Sequence, residues 1–148
     1  MNPIATQLET FIDGYIPALN KISEEDFNYK SSPVKWSRKE ITGHLVDSAH
    51  NNIRRLIVCQ YEENPTIIYN QDQWVSLNNY QQQASNQIIQ LWHSINKQLV
   101  AILKNISTET ANRKCQGVYT IEWLAQDYIK HLQHHMHQVL DLEPIAYP

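Results

Sequence analysis

The sequence predicts an all-α four-helix bundle, and three observations carry that reading. Apolar residues recur at spacings of three and four in four separate stretches. Several of those stretches open on residues suited to capping a helix N-terminus. No convincing strand pattern interrupts them.

The first stripe is Ile4, Leu8, Phe11 or Ile12, Tyr15 and Leu19. Pro17 is expected to kink or end this helix unless the preceding turn absorbs it, because it lacks an N–H and crowds that turn. Residues 20–35 read as a polar, acidic connection that closes on Ser31-Ser32-Pro33. The second helix has the clearest start signal, a capping box of Ser37 as N-cap and Glu40 at N3. Trp36 and Ile41 flank the box at the positions of a hydrophobic staple. Ile41, Leu45, Ala49, Ile53 and Leu56 then share one side, and a more polar strip of His44, Asp47 or Ser48, and Asn51 lies rotated from it. Asn64-Pro65 forbids continuation, which puts the end near Gln60 or Tyr61.

Residues 62–78 read as a long loop, and its Tyr69 and Trp74 either roof a pocket or cover the end of the core. A third helix is expected from Asn79 or just before, with Tyr80, Ala84, Ile88, Leu91, Ile95, Leu99 and Ile102 as its stripe. Residues 105–119 form a second connection. Thr120 is placed to cap the last helix, with Glu122 in its first turn to complement the dipole.

Composition bounds the function. The 148 residues, 42% of them hydrophobic, suit one domain over residues 1–148. Only 18% are charged, the net charge is −3 and no basic run exists, so nucleic acid is not an expected partner. With 3 glycines there is no Gly-rich phosphate loop. No run approaches the ~18 apolar residues of a membrane span, and the first residues show no basic region followed by an apolar core. Cys59 and Cys115 have no metal or redox spacing and are read as free thiols of a reducing cytoplasm.

The stretch Tyr128–Leu142 holds four of the seven histidines. The stripe of Ile121, Leu124 and Tyr128 continues through His131, His135, Gln138 or Val139, and Leu142, so His131 and His135 occupy core positions. His134 and His137 fall off the axis, toward the flanks or solvent. Imidazoles at i and i+4 can chelate one transition metal. Such a pair carries the metal reading only with a third ligand, and His44, on the polar strip of the second helix, is the candidate. Three neutral nitrogens leave positions open for water or substrate. Asp47 is either an outer acceptor for a ligand N–H or a solvated carboxylate. Arg54 and Arg55 either bind an anionic substrate group or snorkel to the surface. His50 and His93 read as ordinary residues.

Lys35-Trp36-Ser37 with Glu40-Ile41 and His44-Leu45-Val46-Asp47-Ser48 resembles the second-helix motif of the DinB-like (YfiT-like) metalloenzyme superfamily. His131-Leu132-Gln133-His134-His135, followed by Gln138-Val139, resembles its closing motif. The likeness covers nearly the whole chain, including the Trp74 to Tyr80 segment and the long third helix. It implies an up-down-down-up bundle and a divalent metal on His44, His131 and His135, with zinc first and nickel, iron or manganese as the other candidates. It further implies a homodimer. The implied activity is a thiol S-transferase or hydrolase acting on a small molecule, through a water or low-molecular-weight thiol activated by the metal. Arg55, Tyr69 and Trp74 are the expected substrate-binding residues. Leu132 stands where many relatives carry Asp, so a role resting on that carboxylate does not transfer. The alternative is a non-catalytic bundle with a structural or stress-response role, its metal closed by a fourth ligand. His134 and Asp47 are the nearest candidates for that ligand.

Overall fold

A computed structural model describes residues Met1 to Tyr147. Among them the helices are α1 (Asn2–Leu19), α2 (Glu24–Asn28), α3 (Arg38–Val58), α4 (Gln71–Asn78), α5 (Ser85–Asn105), α6 (Thr108–Ala111) and α7 (Ile121–Leu140). The four long ones, α1, α3, α5 and α7, are the four stripes of the sequence. Helix α3 packs on α5 and α7, and α1 packs on the same two, so the order around the bundle is α1, α5, α3, α7. In the up-down-down-up order α3 and α5 run parallel, and the chain spans that crossover with residues 59–84. No strand is present among the described residues, only one isolated bridge between Lys114 and Thr120.

The apolar faces meet in one core. Leu8 and Ile12 of α1, Leu45 and Ala49 of α3, Trp92 and Leu99 of α5, and Ala125 and Leu132 of α7 are fully buried. Helix α3 differs from its neighbours because its polar strip is buried as well. His44, Asp47, Ser48, Asn51 and Asn52 are all withdrawn from water. A polar face is buried at a cost unless its groups find partners, which marks this strip as the place to look for a site.

The start signals hold in detail. Ser37 Oγ accepts from the Glu40 backbone N–H at 3.1 Å, and the Glu40 carboxylate accepts from the Ser37 N–H at 2.8 Å. Thr120 Oγ accepts from the Trp123 N–H at 3.1 Å. These two caps fix where α3 and α7 begin, and hence the phase of every histidine on them.

Several boundaries are corrected. Helix α1 runs through Pro17 to Leu19, since a proline in the last turn removes a single hydrogen bond. The connections at 20–35 and 105–119 each carry a short helix, α2 and α6. The expected loop 62–78 is helical from Gln71, capped by Asn70, whose Oδ1 accepts from the Gln73 N–H at 3.0 Å. Helix α5 begins at Ser85 rather than at Asn79, because Asn79 adopts a left-handed conformation (φ 52°) that ends α4. Tyr80 therefore lies in a 3₁₀ turn, with its ring against α3 at Gly43. A Cβ at Gly43 would sit 2.2 Å from that ring, so only glycine admits the contact.

Cys59 and Cys115 are joined in a disulfide with Cα atoms 5.6 Å apart. This corrects the reading of them as free thiols and removes the argument from free thiols for a reducing cytoplasm. The pairing joins the C-cap of α3 to the connection before α7. No described helix is long and apolar enough to cross a membrane.

Candidate metal centre

His44 lies on the second turn of α3, and His131 and His135 lie one turn apart in the second half of α7. The packing of α3 on α7 brings the three rings together. Ring centroids are 5.1 Å apart for His44 and His131, 4.9 Å for His44 and His135, and 4.6 Å for His131 and His135. One nitrogen from each ring lies within 4.8 Å of the other two. The Nε2 atoms of His44 and His131 are 3.1 Å apart. Two ligands on a tetrahedral ion with bonds of 2.0–2.1 Å are separated by about 3.3 Å.

The far side of each α7 ring is held. His135 donates its Nδ1–H to Gln138 Oε1 at 2.9 Å, which leaves Nε2 as the free base. His131 Nδ1 lies 3.4 Å from Ser48 Oγ. Asn52 donates to the Ser48 carbonyl at 2.9 Å. His44 Nδ1 is buried without a partner, beside the Trp36 ring at 5.1 Å. Burial holds the His44 imidazole down to about 4, with the neighbouring His135 acting in the same direction. Burial, helped by the other site histidines, holds His131 down to about 2, and burial also lowers His135. At neutral pH all three are uncharged bases, the form in which imidazole ligates. A single N–H between His44 and His131 cannot satisfy three facing nitrogens, whereas one cation can. The donor set therefore fits a divalent ion.

A cavity of about 410 Å³ opens in front of the two α7 rings, with His131, His135, Arg55 and Tyr69 in its wall. This size suits a small molecule. Arg55 spends its Nε and Nη2 donors on the Ile67 carbonyl, at 3.0 and 2.9 Å. Its half-buried guanidinium forms no ion pair among the described residues. Trp74 stands behind Tyr69, ring to ring at 5.5 Å, and does not line the cavity. Arg54 is exposed on the other side of α3.

Asp47 makes no hydrogen bond to a site histidine among the described residues. Its Oδ1 accepts from the Tyr80 hydroxyl at 2.6 Å and from Asn78 Nδ2 at 3.0 Å, while Oδ2 is buried without a partner. Burial pushes its carboxyl up to about 6, against the Tyr80 hydrogen bond. Neither candidate for a fourth ligand joins the three-histidine cluster, although His134 lines the cavity with its ring 4.9 Å from that of His135. His134 gives Nδ1 to the Ile145 carbonyl at 2.5 Å and accepts from Gln138 Nε2 at 3.0 Å through Nε2. His93 pairs with Asp13 at 2.8 Å, which ties α5 to α1.

Sequence reasoning missed three groups here: the Gln138 bridge, Asp127 and Tyr147. Gln138 stood on the inward stripe and offered a signal, since an amide one turn from a ligand can serve its N–H. Asp127 and Tyr147 offered none, because they meet only when the chain folds back along α7.

The family model of the DinB superfamily matches residues 7–139. The structure of YfiT from Bacillus subtilis, described as a probable metal-dependent hydrolase with an unusual four-helix bundle topology, matches with a TM-score of 0.84 at 19% sequence identity. That match covers 94% of this chain and 83% of the other. It shows that the two share the bundle topology. No curated protein matches the chain by sequence.

Proposed function

The chain belongs to the DinB superfamily, and on that premise we propose that it is a metal-dependent enzyme of hydrolase or thiol S-transferase type acting on a small molecule. The observation that carries the reading is the convergence of His44, His131 and His135 within 4.8 Å, with His131 and His135 in the wall of a cavity and His44 buried behind them. These three residues would hold the ion. A divalent ion so held supplies Lewis acidity, which lowers the pKa of a coordinated water or thiol.

The chain's own residues do the rest. Gln138 and Ser48 fix the rotation of the α7 rings, so their inward nitrogens need no reorganisation on binding. Arg55, tied to the Ile67 carbonyl by two of its donors, presents its remaining N–H groups to an anionic group of the substrate. Tyr69, backed by Trp74, forms an apolar side to the same cavity. The cluster of histidine, cysteine and carboxylate side chains contains three members among the described residues, not four. That supports an open, catalytic site over the closed structural one. Zinc is proposed first because three nitrogens with an open position suit it, and nickel, iron and manganese accept the same donors. The reading includes a homodimer, which light scattering across a concentration range tests.

The test of function begins with metal content. Protein reconstituted in turn with zinc, nickel, iron and manganese should retain about one ion per chain, a stoichiometry set by one His₃ site. Retention far below that with every metal overturns the proposal. The loaded forms are then assayed for hydrolysis of para-nitrophenyl acetate and for conjugation of a nitroaryl chloride to a low-molecular-weight thiol. Activity in the first assay alone selects the hydrolase type, and thiol-dependent turnover in the second selects the transferase type.

A further inference from the structure

The segment after α7 does not leave the bundle. Asp141 adopts a left-handed conformation (φ 51°) and reverses the chain. Pro144 biases Glu143 toward extended backbone, and residues 142–147 are not helical. The segment then returns along α7, and its contacts step backward in register. His137 donates Nδ1–H to the Glu143 carbonyl at 2.6 Å. His134 donates Nδ1–H to the Ile145 carbonyl at 2.5 Å. The Tyr147 hydroxyl donates to Asp127 Oδ2 at 2.9 Å. Carbonyls two residues apart on an extended chain share a face, so successive turns of α7 can grip alternate residues. The last step sets the Tyr147 ring 5.3 Å from the His131 ring and 6.0 Å from that of His134. Tyr147 is thereby part of the cavity wall.

We infer that Tyr147 is a specificity-determining residue, a wall that the return segment builds beside the histidines and that limits the site to compact substrates. Its phenol is pinned by Asp127, and its backbone is carried by the grips of His134 and His137, so the ring cannot swing away as a free side chain would. An aromatic or branched substituent beside the reacting group would have to displace it. The inference rests on the reading of this cavity as the substrate site.

The test uses three forms of the full chain: the parent, Tyr147→Ala and Tyr147→Phe. In the cobalt-loaded proteins, imidazole and 4-phenylimidazole are titrated as a small and a large neutral probe and followed by the visible cobalt bands. Tyr147→Ala should raise the affinity for 4-phenylimidazole relative to imidazole about tenfold or more. Tyr147→Phe keeps the ring and should leave that ratio within about threefold of the parent. A ratio unchanged in Tyr147→Ala overturns the inference. The second arm needs no metal. Diethyl pyrocarbonate labelling of His131, read by mass spectrometry on metal-free protein, should be about tenfold faster in Tyr147→Ala and near the parent rate in Tyr147→Phe. Equal rates in all three forms overturn the wall even if cobalt binds. If cobalt fails to bind any form, the metal reading falls and the labelling rates alone decide on the wall.

Discussion

Four histidines of α7 stand within two turns and divide into two pairs with opposite chemistry. His131 and His135 face α3 and offer bare nitrogens to a shared centre. His134 and His137 face the return segment and offer N–H donors to its carbonyls. Residue type does not distinguish the pairs. Phase does, because neighbouring residues on a helix are rotated by about 100°. The comparison teaches that an imidazole takes its role from what its second nitrogen meets. Gln138 accepts from the inner ring of His135 and so turns that ring into a base. Backbone carbonyls accept from the outer rings and turn them into clamps.

The largest effect should come from removing an inner ring. His131→Ala, His135→Ala or His44→Ala should weaken divalent metal binding about a thousandfold or more, since loss of one of three ligands leaves an incomplete chelate. Competition titration with a chromophoric chelator measures this. If an outer-ring variant lost as much, the division into pairs would be wrong.

The division was legible because the apolar stripe set the phase, and the Ser37 and Thr120 caps set the helix starts. Both signals are local, as was the burial of Leu45, Ala49 and Leu124. What escaped was non-local. Helix α4 reads as loop in the sequence because only Trp74, Val75 and Leu77 give it apolar content. The bond between Cys59 and Cys115 spans 56 residues and leaves no pattern in spacing. The spacing of Asp47 from His44 suits an acceptor for a histidine N–H, yet the Tyr80 hydroxyl takes it, because the close approach at Gly43 places that ring beside α3. The dock for the return segment is also long-range in character: nothing in residues 142–147 says which face they will cover.

Acid should separate the pairs next. In the metal-free fold, burial holds His44 to about 4 and His131 to about 2 and lowers His135, while the unfolded chain protonates histidine near 6.5. Below that pH the unfolded state binds protons that the folded state refuses, so folding stability is lost as pH falls. Each inner histidine contributes up to about 1.4 kcal/mol per pH unit. Asp47 acts in the opposite sense. Its carboxyl, raised to about 6, favours the folded state at low pH and loses that contribution as pH rises through the value. With two or three histidines against one carboxyl, the net loss near pH 5 should be about 1.4–2.8 kcal/mol per unit. Urea melts of metal-free protein between pH 8 and pH 5 read this slope. His131→Asn should flatten it, and a slope unchanged in that variant would break the assignment of the inner pair.

Gln138 tests the seam between the pairs, because its Oε1 serves His135 and its Nε2 serves His134. Gln138→Ala removes both contacts and should cost about 10- to 100-fold in metal affinity. Gln138→Glu keeps the acceptor for His135 and gives up only the donor to His134. It should therefore stay within about threefold of the parent, because the inner ring keeps the acceptor that orients it. Equal losses in the two variants would mean that the outer ring matters to the centre as much as the inner one.

The smallest effect belongs to His137. Its Nδ1–H holds the Glu143 carbonyl at 2.6 Å, and its ring meets Tyr15 of α1 edge-on at 6.2 Å, away from the centre. His137→Ala removes one of three grips on the return segment and leaves those at Ile145 and Tyr147 in place. A hydrogen bond of this kind contributes about 1 kcal/mol, so amide exchange in residues 142–145 should quicken about fivefold. The Tyr147 ring should keep its place, because Asp127 and His134 still hold the far end. Metal affinity should then change by less than about threefold, since no ligand and no orienting partner is touched. Exchange mass spectrometry and the chelator titration on the same variant read both quantities. Faster exchange with unchanged affinity is the expected pair, and a hundredfold loss of metal would join the outer histidines to the centre and erase the distinction drawn between them.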